Sequence, residues 1–170
     1  IGAIRDMENP PAFGDPDRMQ SPQYVTATSD SGGVHSNSGV NNKAAFLMVD
    51  GGTFNGRTVT ALGADKTGRI YYEAATNLLT SGSDYLDLYY ALRQGCTNLV
   101  GTAGITTGDC DAVTQAVEAT QMHLPAPAPV SVAEAPVCPS NTVVTNLFFD
   151  NLENAASGAW TRTAISGSQA

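Results

Sequence analysis

Apolar residues recur at helical spacing in four stretches of the chain, and signals for helix starts and ends flank these stretches. In the first stretch, Val40, Ala44 and Leu47 fall on one face, and a Gly-Gly pair closes the pattern. Ser83 is a good N-cap for the third, with Asp84 in its first turn. The predicted helices cover residues 38–49 and 64–79, a stretch after Ser83, and a stretch that follows Thr107 and Gly108. Four helices with short connections predict a mainly α fold, a small helical bundle.

The sequence on either side of these helices lacks helical periodicity. Prolines punctuate residues 1–25 and predict an extended, looping segment, while Asn55-Gly56 favours a tight reversal between the first two helices. Residues 123–140 are rich in Pro and Ala and predict a semi-rigid linker, in which we expect His123 to be exposed. Residues 141–170 carry β-branched and aromatic side chains and predict a truncated β-rich accessory segment. The helical domain is therefore expected to cover residues 1–122.

Composition and charge exclude several classes of partner. The net charge is −8, only 14% of residues are charged, and the eight Lys and Arg residues are scattered singly. No cationic stripe is available for nucleic acid or for an anionic membrane surface. No apolar run approaches the roughly 20 residues that span a bilayer. The low charge and the abundance of small residues favour a secreted, extracellular protein over a cytosolic one.

The chain has three cysteines, and two of them bracket a short Gly- and Thr-rich segment between the last two predicted helices. A disulfide between Cys96 and Cys110 would stabilise that connection by roughly 3 kcal/mol in the chain-entropy model. The alternative is a pair of free thiols in a reducing compartment. Cys138 lies in the Pro-rich linker, whose extracellular character favours the disulfide. Cys138 itself lacks an obvious partner, which hints at missing chain.

Candidate chemistry lies in the segment DSGGVH, residues 30–35. A carboxylate five residues before an imidazole, across a Gly-Gly turn, can fold back onto one ring nitrogen of the histidine. Such a contact fixes the tautomer and raises the basicity of the other nitrogen, which is how enzymes orient a working histidine. On spacing alone, the favoured interpretation is a hydrogen-bonded histidine near a turn that does no chemistry, because Asp and His lie close together somewhere in any chain of this length.

A longer string around this segment resembles the thermolysin-like (bacillolysin, neutral protease) zinc metallopeptidase family. SDSGGVHSNSGVNNKAAFLM is similar to the family block D-x-G-G-V-H-x-N-S-G-x-x-N-K-A-A, which opens a helix of the carboxy-terminal domain. IRDMENPPAFGDPDRM resembles the segment R-x-M-x-x-P-x-x-x-G-D-P-D just before it, and residues 63–101 are similar to the two helices that follow. The resemblance covers residues 1–122 and implies the family's carboxy-terminal α-helical domain.

The resemblance also implies roles for four side chains. His35 matches the active-site histidine that is not a zinc ligand and that donates a hydrogen bond to the oxyanion of the tetrahedral intermediate, a contact worth about 3 kcal/mol of barrier. Asp30 matches the carboxylate that keeps the histidine ring protonated and aligned. Arg5 matches the arginine that binds the substrate carbonyl just beyond the scissile bond, although a surface salt bridge or a solvated loop charge explains its spacing equally well. Ile4 matches an apolar wall of the next pocket, which implies cleavage before bulky apolar residues.

The sequence departs from the family pattern at the metal. The family holds its catalytic zinc with a His-Glu-x-x-His motif and a later glutamate, whereas the two histidines here are His35 and His123. We expect no metal ligands in this chain and expect an amino-terminal zinc-binding domain of a parent protein to provide them. The resemblance also allows calcium as a further cofactor of the parent. However, Gly2 stands near the position where one further acidic calcium ligand is expected. Alone, the chain should be inactive, and we expect it to fold but either to associate non-specifically or to dimerise through its exposed apolar cleft face.

Three functional hypotheses follow from the sequence. The first is the carboxy-terminal half of a secreted zinc metalloendopeptidase that acts on peptide or protein substrates, supplying the oxyanion-stabilising histidine and a wall of the substrate cleft. The second is a non-catalytic binding or scaffold fragment. The third is a helical accessory domain in which Asp30 and His35 form only a structural pair.

Overall fold

The computed structural model describes residues 3–127, and within them the architecture is mainly α-helical, as predicted. The predicted β-rich segment, Cys138 and most of the linker lie outside the described residues. The elements in chain order are a 3-10 helix Pro10–Phe13, α1 Asp30–Asn37, α2 Gly39–Asp50, β1 Gly52–Phe54, β2 Arg57–Val59, α3 Ala64–Glu73, a π-helical turn Ala74–Leu78, α4 Tyr85–Leu99 and α5 Thr107–Ala119.

One continuous apolar core holds the helices together. Helix α5 packs against α2 and α4, and α3 packs against α2 and α4, so that their apolar faces meet. Fully buried apolar side chains include Leu47, Met48, Ile70, Leu92, Val113 and Val117. Complete burial of such a side chain is worth about 1.5–3 kcal/mol. The core therefore fixes the helices on which the candidate site is built.

The beginnings of α4 and α5 are set by capping boxes, and both differ slightly from the predicted starts. Asp84, not Ser83, is the N-cap of α4, because its Oδ1 accepts hydrogen bonds from the backbone amides of Leu86 and Asp87 at 2.8 and 3.1 Å. The hydroxyl of Ser83 accepts from the amide of Thr80 instead. Thr106 caps α5 in a second box with Asp109, so that helix already begins at Thr107. Asp84 immediately precedes the first helical residue, and aspartate is among the preferred N-cap residues.

The predicted second helix, residues 64–79, is not a regular α-helix along its whole length. Regular α-helix stops at Glu73, and the next turn is wider, with the amide of Leu79 donating to the carbonyl of Ala74 at 2.9 Å. The hydroxyl of Thr76 donates to the carbonyl of Tyr72 at 2.7 Å, a local bond that often accompanies bent helices. Leu79 itself is extended and leads the chain towards α4.

Two predicted links between elements are present. Asn55 and Gly56 both have positive φ and join β1 to β2 in an antiparallel hairpin, which confirms the predicted reversal. Cys96 and Cys110 form the predicted disulfide with a Cα–Cα distance of 5.5 Å, so the free-thiol alternative is wrong for this pair. The bond ties the buried face of α4 to the first turn of α5. Between residues 3 and 127, none of the helices is both long and apolar enough to cross a membrane.

Candidate active site

Asp30 and His35 face each other across the start of α1, as the sequence predicts. The carboxylate Oδ1 lies 2.5 Å from Nδ1 of the imidazole, and Oδ2 accepts from the backbone amide of His35 at 3.0 Å. Both carboxylate oxygens are thus engaged by the same residue. The imidazole side chain remains 77% exposed. A ring held through Nδ1 turns Nε2 outwards, where it is free to meet a ligand from solvent.

The electrostatics of the pair favour a charged carboxylate. The hydrogen bond from the His35 ring holds the pKa of Asp30 below its ordinary range, and the backbone amide of His35 acts in the same direction. The positive charge of Arg5 adds a smaller effect of the same sign. Asp30 is therefore an anionic acceptor throughout the neutral pH range and fixes the orientation of the imidazole.

An unusual backbone brings the two side chains together. Asp30, Ser31, Gly32 and Gly33 have φ values of 53, 50, 84 and 75°, a left-handed run that reverses the chain before α1 becomes regular. Glycine is required at position 33 for two reasons. Its positive φ favours glycine, and a Cβ at this position would lie 2.5 Å from Cβ of Val25. Left-handed φ at Asp30 and Ser31 costs on the order of 1 kcal/mol each. Strain of this kind persists only where the surroundings hold it.

The side chain of Asn37 stabilises this turn through hydrogen bonds. Asn37 is only 6% exposed, and its Oδ1 accepts from the amide of Val25 at 2.9 Å. Its Nδ2 donates to the carbonyls of Val25 and Gly32 at 2.9 and 3.1 Å. One buried amide therefore ties the preceding loop, the left-handed turn and α1 together. The sequence alone does not single out Asn37, because its partner Val25 lies outside any local motif.

Arg5 and Ile4 approach the pair from the amino-terminal loop. The half-buried guanidinium of Arg5 donates through Nη1 to the hydroxyl of Ser38, and that hydroxyl donates to the carbonyl of His35 at 2.6 Å. Arg5, Ser38 and His35 are thus joined by two consecutive hydrogen bonds. Ile4 is 83% exposed beside Arg5, so its apolar side chain stands open to solvent. Sequence analysis did not assign Ser38 a role, since only the fold brings Arg5 to it.

Residues 1–122 match the family model described as "Thermolysin metallopeptidase, alpha-helical domain". The chain belongs to the thermolysin metallopeptidase family. Similar relatives include a zinc metalloproteinase from Renibacterium salmoninarum, 42% identical over 127 residues, and a bacillolysin from Bacillus caldolyticus, 41% identical over 121 residues. A thermolysin from Alicyclobacillus acidocaldarius subsp. acidocaldarius is likewise 41% identical over 121 residues. These alignments cover 70 and 71% of this chain but only 23, 21 and 21% of the three relatives.

The described residues of this thermolysin-family domain do not fit a zinc site. From residue 3 to residue 127, no group of three or more His, Cys, Asp or Glu side chains is arranged to hold a metal ion. His35 is committed to Asp30, and the exposed ring of His123 lies against Tyr89, with ring centroids 5.7 Å apart. Gly2, which bears on the expected calcium site, lies outside the described residues.

Proposed function

We propose that this chain supplies the oxyanion-stabilising side of the active site of a secreted zinc metalloendopeptidase. The observation that carries the proposal is the exposed imidazole of His35, braced through Nδ1 by Asp30 within a left-handed turn. A merely structural histidine has no need of a strained turn that leaves its ring in solvent. The family relationship supports a parent protein that cleaves peptide bonds.

In the proposed mechanism, Nε2 of His35 donates to the oxygen that gains negative charge as the scissile carbonyl becomes tetrahedral. Asp30 keeps the ring in one orientation, so that the donor is in place before charge develops and need not reorganise. Removal of one such donor typically costs 10²–10³ in turnover. The guanidinium of Arg5 binds the carbonyl of the next residue, and Ile4 forms an apolar wall for that residue's side chain. Substrates with a bulky apolar residue after the cleaved bond are therefore preferred.

The zinc ligands and the general base come, on this proposal, from an amino-terminal zinc-binding domain of the parent, which also carries any calcium. Three apolar side chains near the site are well exposed, namely Ile4 at 83%, Val34 at 56% and Met7 at 47%. Contact with the zinc-binding domain would cover such side chains. We expect the isolated chain to dimerise or associate through the same surface, and the disulfide suits an extracellular location.

The test is a comparison of the chain alone with the same chain joined to the zinc-binding domain of its parent. Casein hydrolysis is expected only from the joined protein, and a metal chelator should abolish it. Added zinc should not activate the chain alone. Chelator-sensitive hydrolysis by the isolated 170-residue chain would contradict the proposal, and so would an inactive joined protein that is folded and holds zinc.

A further inference from the structure

We propose that Ser38 is a positioning residue that holds the guanidinium of Arg5 in a fixed position relative to His35, an inference that rests on the proposed function. Its hydroxyl accepts from Nη1 of Arg5 and donates to the backbone carbonyl of His35 at 2.6 Å. A serine hydroxyl has one proton and two lone pairs, so both bonds form at once. A single oxygen atom thereby links the guanidinium of Arg5 to the backbone of His35.

The position of Ser38 is itself fixed from two sides. On one side, Gly39 packs so tightly that a Cβ there would lie 2.4 Å from the carbonyl oxygen of Pro16. On the other, the hydroxyl of Tyr85 donates to the carbonyl of Asn37 at 2.7 Å, which anchors the end of α1 to α4. The hydroxyl of Ser38 therefore projects from a part of the backbone that cannot easily shift. Arg5 lies on a loop and takes its position from that hydroxyl.

Arg5 has no other strong anchor in the described part of the chain. The ion pairs among residues 3–127 engage Arg18, Arg57, Lys66, Arg69 and His35, and none of them engages Arg5. Without the hydroxyl, the long side chain of Arg5 would sample several rotamers and would seldom meet the substrate carbonyl while His35 meets the oxyanion. Arg5 and His35 must contact one peptide at the same time. Loss of the fixed position of Arg5 should therefore weaken binding of the transition state.

A double-mutant cycle in the protein that joins this chain to its zinc-binding domain tests the inference. The variants are Ser38→Ala, Arg5→Met and the double change, with kcat/KM measured on a peptide that extends beyond the scissile bond. Ser38→Ala is expected to lower kcat/KM about tenfold, as loss of a hydrogen bond to a charged group does. In the Arg5→Met background the same change should cost less than about twofold, because Ser38 acts through Arg5.

Two further variants separate this role from a general structural one. Ser38→Thr keeps the hydroxyl and should recover most of the lost kcat/KM. Ser36→Ala removes a neighbouring hydroxyl that makes no hydrogen bond among the described residues, and it should leave kcat/KM unchanged. The inference is overturned if Ser38→Ala costs as much without Arg5 as with it, if Ser38→Thr fails to recover activity, or if Ser36→Ala is equally harmful. Unchanged kcat/KM in Arg5→Met alone would instead refute the role proposed for Arg5, and the inference with it.

Discussion

Two regions of the molecule are stabilised in opposite ways. One is the turn that carries His35, and the other is the helix pair formed by α4 and α5. In the helix pair, Leu92, Cys96, Val113 and Val117 are fully buried, capping boxes close both helix starts, and a disulfide joins the two. In the turn, consecutive residues are left-handed and the imidazole of His35 remains in solvent. The helix pair gains stability from burial and cross-linking, whereas the turn holds an exposed group in a strained arrangement.

The difference indicates where this domain gains its stability and where, on the proposed function, it carries chemistry. A strained, polar turn can persist only on a scaffold that over-determines it. Here the helix pair contacts the end of α1 through Tyr85 of α4, whose hydroxyl donates to the carbonyl of Asn37, and the buried amide of Asn37 in turn holds the turn and the loop before it. Substitutions in the helix pair should therefore change the free energy of unfolding, and substitutions in the turn should mainly change function.

The largest stability effect is expected from the core side of that comparison. Leu92→Ala should lower the free energy of unfolding by about 2–5 kcal/mol, because it leaves a cavity in a site with no exposed surface. Leu86→Ala, on the same helix but at a side chain that is 43% exposed, should change it by no more than about 0.5 kcal/mol. Urea unfolding of the chain measures both. Equal losses in the two variants would contradict the assignment of the core.

Removal of the disulfide should have the next largest effect. Replacement of both Cys96 and Cys110 by Ala should cost about 3 kcal/mol, because the unfolded chain regains the freedom of a closed loop of about 15 residues. The comparison is best made with Cys138→Ser in both proteins, which removes the remaining cysteine from each of them. Denaturant unfolding under non-reducing conditions gives the difference. An unchanged midpoint would show that the link between α4 and α5 is dispensable.

The side chain of Asn37 links the turn to the loop before it, and its loss should destabilise that side of the comparison. Asn37→Ala leaves backbone groups of Val25 and Gly32 without their partner and should cost about 1–3 kcal/mol. Asn42→Ala on α2, whose side chain makes no hydrogen bond among the described residues, is the matched control and should cost much less. If the two variants unfold at the same urea concentration, the turn does not depend on the buried amide.

The smallest effect concerns the charge of Asp30. His35→Gln removes the ring that lowers the pKa of Asp30, so that this pKa should rise towards its ordinary range. Because the folded-state pKa is depressed, the stability contributed by the pair is present above pH 4 and is lost as the pH falls through the depressed value. Carboxyl 13C chemical shifts in a pH titration follow the group directly. The pKa of Glu73, lowered by Asn98 and Asn77, should stay where it is and serves as the control.

Local patterns were enough to predict much of this molecule from sequence. Helical periodicity predicted four of the helices, Asn55-Gly56 predicted the hairpin, and DSGGVH predicted that Asp30 reaches His35. Contacts made across the fold were not predictable in this way. Asn37 bonds to Val25 in a preceding loop, and Ser38 meets Arg5 only because the amino-terminal segment passes beside α1. The N-cap of α4 is Asp84 and not Ser83, whose hydroxyl instead accepts from the amide of Thr80, a contact that the helical pattern does not reveal.

The central claim is that His35 stabilises the oxyanion in a protease whose zinc is bound elsewhere. The direct test is turnover of a peptide substrate by His35→Ala in the joined protein, with the metal content measured in the same preparation. The chain has a second histidine, so His123→Ala is the matched control. The account predicts a 10²–10³-fold loss of kcat for His35→Ala with zinc retained, and unchanged kcat for His123→Ala. Unchanged turnover in His35→Ala, or loss of its zinc, would contradict it.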